Sequence, residues 1–230
     1  MKKHIVAIGG GGFSRNNSSY LIEKYILSLS KKDCPKICFL PTATGDDDSY
    51  IVRFYSIFTC INCIPSHIEF FKRTINIQDH IMKQDIVFVG GGNTKSMLAI
   101  WKDWGMSELL NDAYNKGVIM SGVSAGAICW FTSGISDSWN NGLRILPCLD
   151  FIRGTCCPHY DEEPSRIPYV RKILLEEKLA SCISIEGGSA LHFIDGKPFK
   201  SVSFKDNKNS YNVYLDRKDI VEKPFEKIQL

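Results

Sequence analysis

Short continuous apolar runs alternate with longer amphipathic segments through the first half of the chain. The runs His4–Ile8, Ile37–Leu40, Ile86–Val89 and Val118–Met120 are too short for helices. They lack polar alternation, the pattern of strands buried on both faces. Between them, apolar residues recur with helical spacing. Leu21, Ile22, Tyr25, Ile26 and Leu29 share one face, as do Ile51, Phe54, Tyr55 and Phe58. Met97, Ile100, Trp101 and Trp104 mark a further helix that Gly105 breaks before Leu109, Leu110 and Ala113. A third strand is expected between Ile61 and Phe71, with Pro65 making it an edge or irregular strand. Repeated strand–helix alternation predicts a mostly parallel sheet with helices on both faces, an α/β/α arrangement of three layers.

Beyond Trp130 the pattern changes. Thr132–Asn141 reads as a polar loop, Thr155–Cys157 as a strand, and Ser165–Leu179 as a helix with Pro168 tolerated in its first turn. Ile183–Ile185, Ala190–Ile194, Ser201–Phe204 and Tyr211–Leu215 read as strands, and Asp195-Gly196 as a hairpin turn. These segments predict antiparallel β additions on the sheet edge. The length of 230 residues fits one domain, 1–230, with a substantial core.

Composition narrows the function classes. A net charge of +3, with lysines mixed among acids, does not point to nucleic acid. No apolar run approaches the ~20 residues that span a bilayer, and the apolar start Ile5–Ile8 is too short for a signal peptide. The reading is cytoplasmic, with no membrane partner. Nine cysteines cannot all pair, so most are expected as free thiols, small buried hydrophobes rather than metal ligands. Cys60-x-x-Cys63 with Cys34 and Cys38 could form a four-cysteine set, but the spacing is not that of a tight metal knuckle. Asp46–Asp48 reads as a solvated helix start.

The candidate chemistry centres on Gly122-Val123-Ser124-Ala125-Gly126. The run before it is a strand, and Ala125–Trp130 begins a helix. A serine at such an apex sits in a strained turn, and glycines clear its neighbours. Ser124 is therefore the nucleophile candidate. Gly9–Gly12 and Gly90–Gly92 also follow strands, which places three small-residue loops at one rim of the sheet, where sites form in such folds. Gly9–Gly12 is not a dinucleotide fingerprint, because Ser14 stands at the third glycine; it reads as a loop crossing close to a neighbouring strand end. A serine needs a base, and His159, in a polar loop after a strand, is the best placed of five histidines. Asp137 and Glu186 both lie at positions suited to an acid that holds the imidazole, and spacing does not choose between them. The Ala125 amide supplies one oxyanion donor, and Gly91 or Gly92 the other.

Phe88-Val89-Gly90-Gly91-Gly92-Asn93-Thr94, Gly122–Ala127, Ser136-Asp137 and Pro158-His159-Tyr160, in this order, resemble the peptidase E family of serine peptidases. The resemblance implies a class I glutamine-amidotransferase-like fold with serine in place of cysteine. It implies a cytoplasmic dipeptidase or aminopeptidase-like enzyme that hydrolyses short peptides and favours N-terminal aspartate. Ser124 would be the nucleophile, His159 the base and Asp137 the third member, with Glu186 as the alternative. Gly91, Gly92, Asn93 and Ala125 would serve the oxyanion and substrate. The stretch Asp161-Glu162-Glu163-Pro164-Ser165-Arg166 departs from the family's glycine-rich, arginine-bearing segment. Arg166 remains a candidate for a substrate carboxylate, while Glu162 and Glu163 would favour an amino group or repel an acidic side chain. No cofactor or metal is called for, and a monomer or small homo-oligomer is expected. An α/β-hydrolase esterase shares the serine turn but brings its histidine late in the chain. A non-catalytic binding protein on the same fold would not be expected to keep Ser124, His159 and Asp137 together.

Overall fold

The computed structural model describes residues 2–14 and 19–230. Its first part runs β1 (His4–Ile8), α1 (Leu21–Ser28), β2 (Lys36–Leu40), α2 (Asp48–Phe58), β3 (Ile64–His67), α3 (Ile77–Met82), β4 (Ile86–Val89), α4 (Thr94–Asp103), α5 (Met106–Asn115), β5 (Ile119–Val123) and α6 (Ala125–Ile128). The second part runs β6 (Phe131–Ser136), β7 (Arg144–Pro147), β8 (Ile152–Cys157), α7 (Arg166–Leu175), β9 (Ser181–Ile185), β10 (Ser189–Ile194), β11 (Lys197–Ser203), β12 (Ser210–Asp216), β13 (Asp219–Pro224) and β14 (Lys227–Gln229).

The larger sheet has the order β14-β11-β10-β1-β5-β4-β2-β3. Its strands β1, β5, β4, β2 and β3 are mutually parallel, and β10 pairs antiparallel with β1. Alternation along each strand divides the core into two layers. Val6, Ile8, Ile37, Phe39, Ile86 and Phe88 face α1 and α2. Ile5, Ala7, Cys38, Leu40, Val87 and Val89 face α3–α6. Both faces are covered, which is why the runs show no polar positions. Pro65 lies in β3, at the sheet edge, where a missing N–H does least harm. Asp47 caps α2 by accepting from the Tyr50 N–H at 2.8 Å, and Gly105 (φ 65°) separates α4 from α5.

Four readings need correction. Phe131–Ser136 is strand β6, not the start of a loop, because it pairs parallel with β8 and antiparallel with β7. The helix after Ser124 ends at Ile128, since Phe131 has already entered that strand. The helix read over 165–179 ends at Leu175, and Glu177 turns the chain at φ 52°. The C-terminal strands do not all extend one edge. β9, β12 and β13 join β8, β6 and β7 in a second sheet ordered β13-β12-β9-β8-β6-β7, with α7 packed on it.

Candidate active site

Ser124 lies between β5 and α6 with φ 57° and ψ −110°. That region is sparsely populated by any residue but glycine, and here the sharpness of the strand-to-helix turn holds it. The turn leaves no room for a side chain at either of its two glycines. A Cβ on Gly126 would stand 2.1 Å from the Val89 carbonyl oxygen, and one on Gly122 would stand 2.4 Å from the Gly126 oxygen. Ala127 and Ile128 donate to the Ser124 carbonyl, so the helix ladder leaves the Ala125 amide unused at its N-terminus.

His159 follows β8 and also has a positive φ, 51°. Its backbone N–H donates to the Gly9 carbonyl at 3.0 Å, while the Ser124 N–H donates to the Ile8 carbonyl at 3.0 Å. The end of β1 thus holds serine and histidine on two consecutive carbonyls. Gly9 needs its bareness because a Cβ would meet the Glu186 oxygen at 2.4 Å. The loop does cross close to a neighbouring strand end, that of β9.

The carboxylate on the histidine is Glu162. Its Oε2 lies 2.7 Å from His159 Nδ1, and the two side chains are 23% and 12% exposed. Two glycines make room for this pair. A Cβ on Gly10 would stand 2.6 Å from Glu162 Oε2 and 2.7 Å from His159 Nδ1, and one on Gly187 would overlap Glu162 Cδ at 2.0 Å. Neither acid named from the sequence is in this contact. Asp137 is 64% exposed, 3.8 Å from Arg166 Nη2, because β6 carries it out toward that guanidinium. Glu186 Oε2 accepts from the Asn209 N–H at 2.8 Å, and burial pushes its carboxyl above the usual range. Beside it, burial pushes Asp161 up, but Lys208 and the Gly187 N–H outweigh that and leave it below the usual range.

Arg166 is not presented at the rim. It is 2% exposed; its Nε donates to Glu163 Oε2 at 2.7 Å and its Nη1 to the Ile135 carbonyl at 2.8 Å. Glu163 is therefore its partner rather than a charge facing a substrate. Gly91 lies against Ser124, since a Cβ there would be 3.3 Å from the serine Cβ. Its N–H points to Tyr50 Oη at a long 3.4 Å. Gly92 (φ 138°) packs on the Ala43 carbonyl. Asn93 is engaged in holding the fold, since its Oδ1 accepts from the Ser96 N–H at 2.9 Å and caps α4. Tyr50, whose hydroxyl burial pushes up to about 12, carries no sequence signal beyond its place at the start of an apolar helix.

The other sequence candidates resolve simply. All nine cysteines are free thiols; Cys38, Cys129, Cys156, Cys157 and Cys182 are buried, but Cys34 and Cys60 are exposed. Asp46 is not solvated: it is 6% exposed and accepts from the Phe70 and Phe71 N–H groups. Among the described residues no group of three or more His, Cys, Asp or Glu side chains is placed to hold a metal, and no helix is long and apolar enough to cross a membrane.

A mostly parallel sheet layered between helices, with a strained serine turn at a strand end, defines an α/β protein of the peptidase E fold. The sequence profile of peptidase family S51 matches residues 5–200. The chain is 42% identical over 223 residues to the uncharacterized peptidase YgaJ of Bacillus subtilis (strain 168), covering 96% of each. Two solved structures share the fold. A peptidase from an acI-B1 Actinobacterium superposes with TM-score 0.72 at 15% identity, over 99% of this chain and 95% of that one. A protein provisionally named peptidase E from Listeria monocytogenes EGD-e gives 0.62 at 16%, over 98% and 100%. The chain belongs to peptidase family S51, the peptidase E family.

Proposed function

We propose that the protein is a serine-type peptidase that hydrolyses short peptides from the N-terminal side, as a dipeptidase or aminopeptidase-like enzyme. The observation that carries this is Ser124 at φ 57° and a His159–Glu162 pair at 2.7 Å, with the serine and histidine backbones hung from consecutive carbonyls at the end of β1. Ser124 Oγ attacks the scissile carbonyl as His159 takes its proton. The same proton passes to the departing amine, and water then releases the acyl group by the reverse path. Glu162 fixes the ring and stabilises its cation. The Gly91 and Ala125 amides receive the oxyanion, with Gly91 giving up its long contact to Tyr50. A cytoplasmic setting suits nine free thiols.

The aspartate preference implied by the family resemblance does not find its cation in Arg166. Two other cations, Lys95 at the start of α4 and Arg144 at the start of β7, flank the Trp139 ring at 5.6 and 5.4 Å. The test is hydrolysis of a panel of dipeptides and aminoacyl-para-nitroanilides, wild type beside Ser124→Ala, with fluorophosphonate labelling read by mass spectrometry. Turnover and labelling should both vanish in the variant. Turnover that survives in Ser124→Ala defeats the reading.

A further inference from the structure

At the opposite end of the sheet from Ser124 lies a cleft of about 610 Å³ that the proposed chemistry does not use. It opens where β1 and β5 begin, at His4 and Ile119, whereas Ser124 and the Gly9 loop follow the ends of those strands. The C-terminal ends of α1, α3 and α5 surround it. Its inner wall is apolar, from Leu29, Met82 and Val118. Its charge is cationic. Lys2, Lys31, Lys32 and Lys116 line it against a single carboxylate, Asp85. Asp85 is fully engaged, with Lys32 Nζ at 2.7 Å and the Lys36 N–H at 2.9 Å.

Two features argue that this is more than a crevice with lysines at its lip. The first is electrostatic. Three helix C-termini contribute about half a negative charge each, less than the lysines' surplus over Asp85. Several of their terminal carbonyls are also occupied, since Leu29, Gln84, Lys116 and Gly117 donate back into the helix ends. An anion entering the cleft therefore meets a positive field. The second is a polar chain within an otherwise apolar layer. Tyr25 Oη lies 2.8 Å from His192 Nδ1, and His192 Nε2 lies 2.9 Å from His4 Nδ1. His192 is 2% exposed, while His4 reaches the cleft. With Tyr25 donating, each ring passes its hydrogen outward, and the nitrogen left to His4 for a ligand, Nε2, carries the donor.

We propose that this cleft is a second binding site, for a small organic anion whose carboxylate, sulfonate or phosphate head meets His4 Nε2 and the exposed lysines Lys31 and Lys116. Its apolar body packs on Leu29, Met82 and Val118. Such a ligand combines what the walls offer, a few placed donors on an apolar floor. The site is independent of the peptidase reading.

The probe is 8-anilinonaphthalene-1-sulfonate, an aromatic body with one anionic head, titrated by fluorescence into the full chain. N-phenyl-1-naphthylamine, the same rings without the sulfonate, is the neutral control. Saturable binding of one equivalent is expected, at least tenfold tighter for the anion. Lys31→Glu and Lys116→Glu, both surface changes, should each weaken it five- to tenfold with the melting temperature unchanged, and His4→Phe should weaken it with the apolar walls intact. Ser124→Ala should bind as wild type. Equal affinity for the neutral control, or binding that neither charge reversal alters, overturns the proposal.

Discussion

Replacing Glu162 with glutamine preserves the side chain's size and leaves one oxygen able to accept from His159, while removing the charge. In the transition state the imidazole becomes a cation, and its charge centre lies roughly 4 Å from that of the carboxylate. At an effective dielectric of ~20 the attraction is about 4 kcal/mol, and at ~40 about 2 kcal/mol. The two side chains are 12% and 23% exposed, which places the pair between these limits. The expected loss in kcat is therefore roughly 30- to 1,000-fold, with little change in KM because Glu162 acts on charge that develops in the transition state. The assay is steady-state hydrolysis of the best dipeptide in the panel, run beside Asp137→Asn and Glu186→Gln, each expected within about threefold of wild type. A Glu162→Gln enzyme within threefold of wild type, or an Asp137→Asn enzyme that falls as far, would refute Glu162 as the residue that positions the base.

Three further outcomes follow from the geometry. Gly10→Ala places a Cβ against the ends of two side chains that can move, Glu162 and His159; it should cost on the order of 100-fold in kcat with a melting temperature within a few degrees, and full activity would show that the pair tolerates displacement. Arg166→Leu strands Glu163 and the Ile135 carbonyl, so it should destabilise by about 3 kcal/mol, read by urea unfolding; unchanged stability with a raised KM would return Arg166 to the substrate. Burial pushes His192 down to about 4 from an ordinary 6.5, so the unfolded chain takes up a proton that the folded one refuses. Stability should be full above pH 6.5 and fall as pH drops toward 4, by roughly 2–3 kcal/mol. His192→Gln should flatten that slope, and an unchanged slope would assign the acid sensitivity elsewhere.

The parallel strands, their helices and the serine turn were legible because each is written in local pattern: continuous apolar runs, one-faced helices, glycines where the turn admits nothing larger. β6 was hidden because its polar residues find partners far along the chain. Ser133 Oγ meets Thr155 Oγ1 at 2.7 Å, and the ladder that makes 131–136 a strand comes from β7 and β8. The second sheet was lost with it. Ser124 and His159 could be placed at strand ends from the sequence. Glu162 could not be placed on the histidine, because its contact depends on a turn that His159 opens at positive φ, and on two glycines, Gly10 and Gly187, that are distant in sequence. Its one visible signal was the three-residue spacing from His159, and the same stretch read as charge facing a substrate. The burial of Arg166 was hidden for a related reason: long arginines are expected in solvent, and only the fold shows the Ile135 carbonyl and the part-exposed Glu163 carboxylate that hold it below the surface.

The carbonyls of Ile8 and Gly9 have a consequence for how this protein can change. They meter the separation of two residues that arrive from different sheets, with a single peptide unit as the gauge. Hairpin tips such as Arg217-Lys218, between β12 and β13, can lengthen or shorten without touching that gauge. One residue gained or lost between Ile8 and Gly10 would advance His159 by a whole step relative to Ser124 while every strand still paired. On the proposed mechanism, divergence within such a scaffold is therefore free at the periphery and constrained over two residues at its centre, where a slip would keep the strands and lose the spacing of serine and histidine.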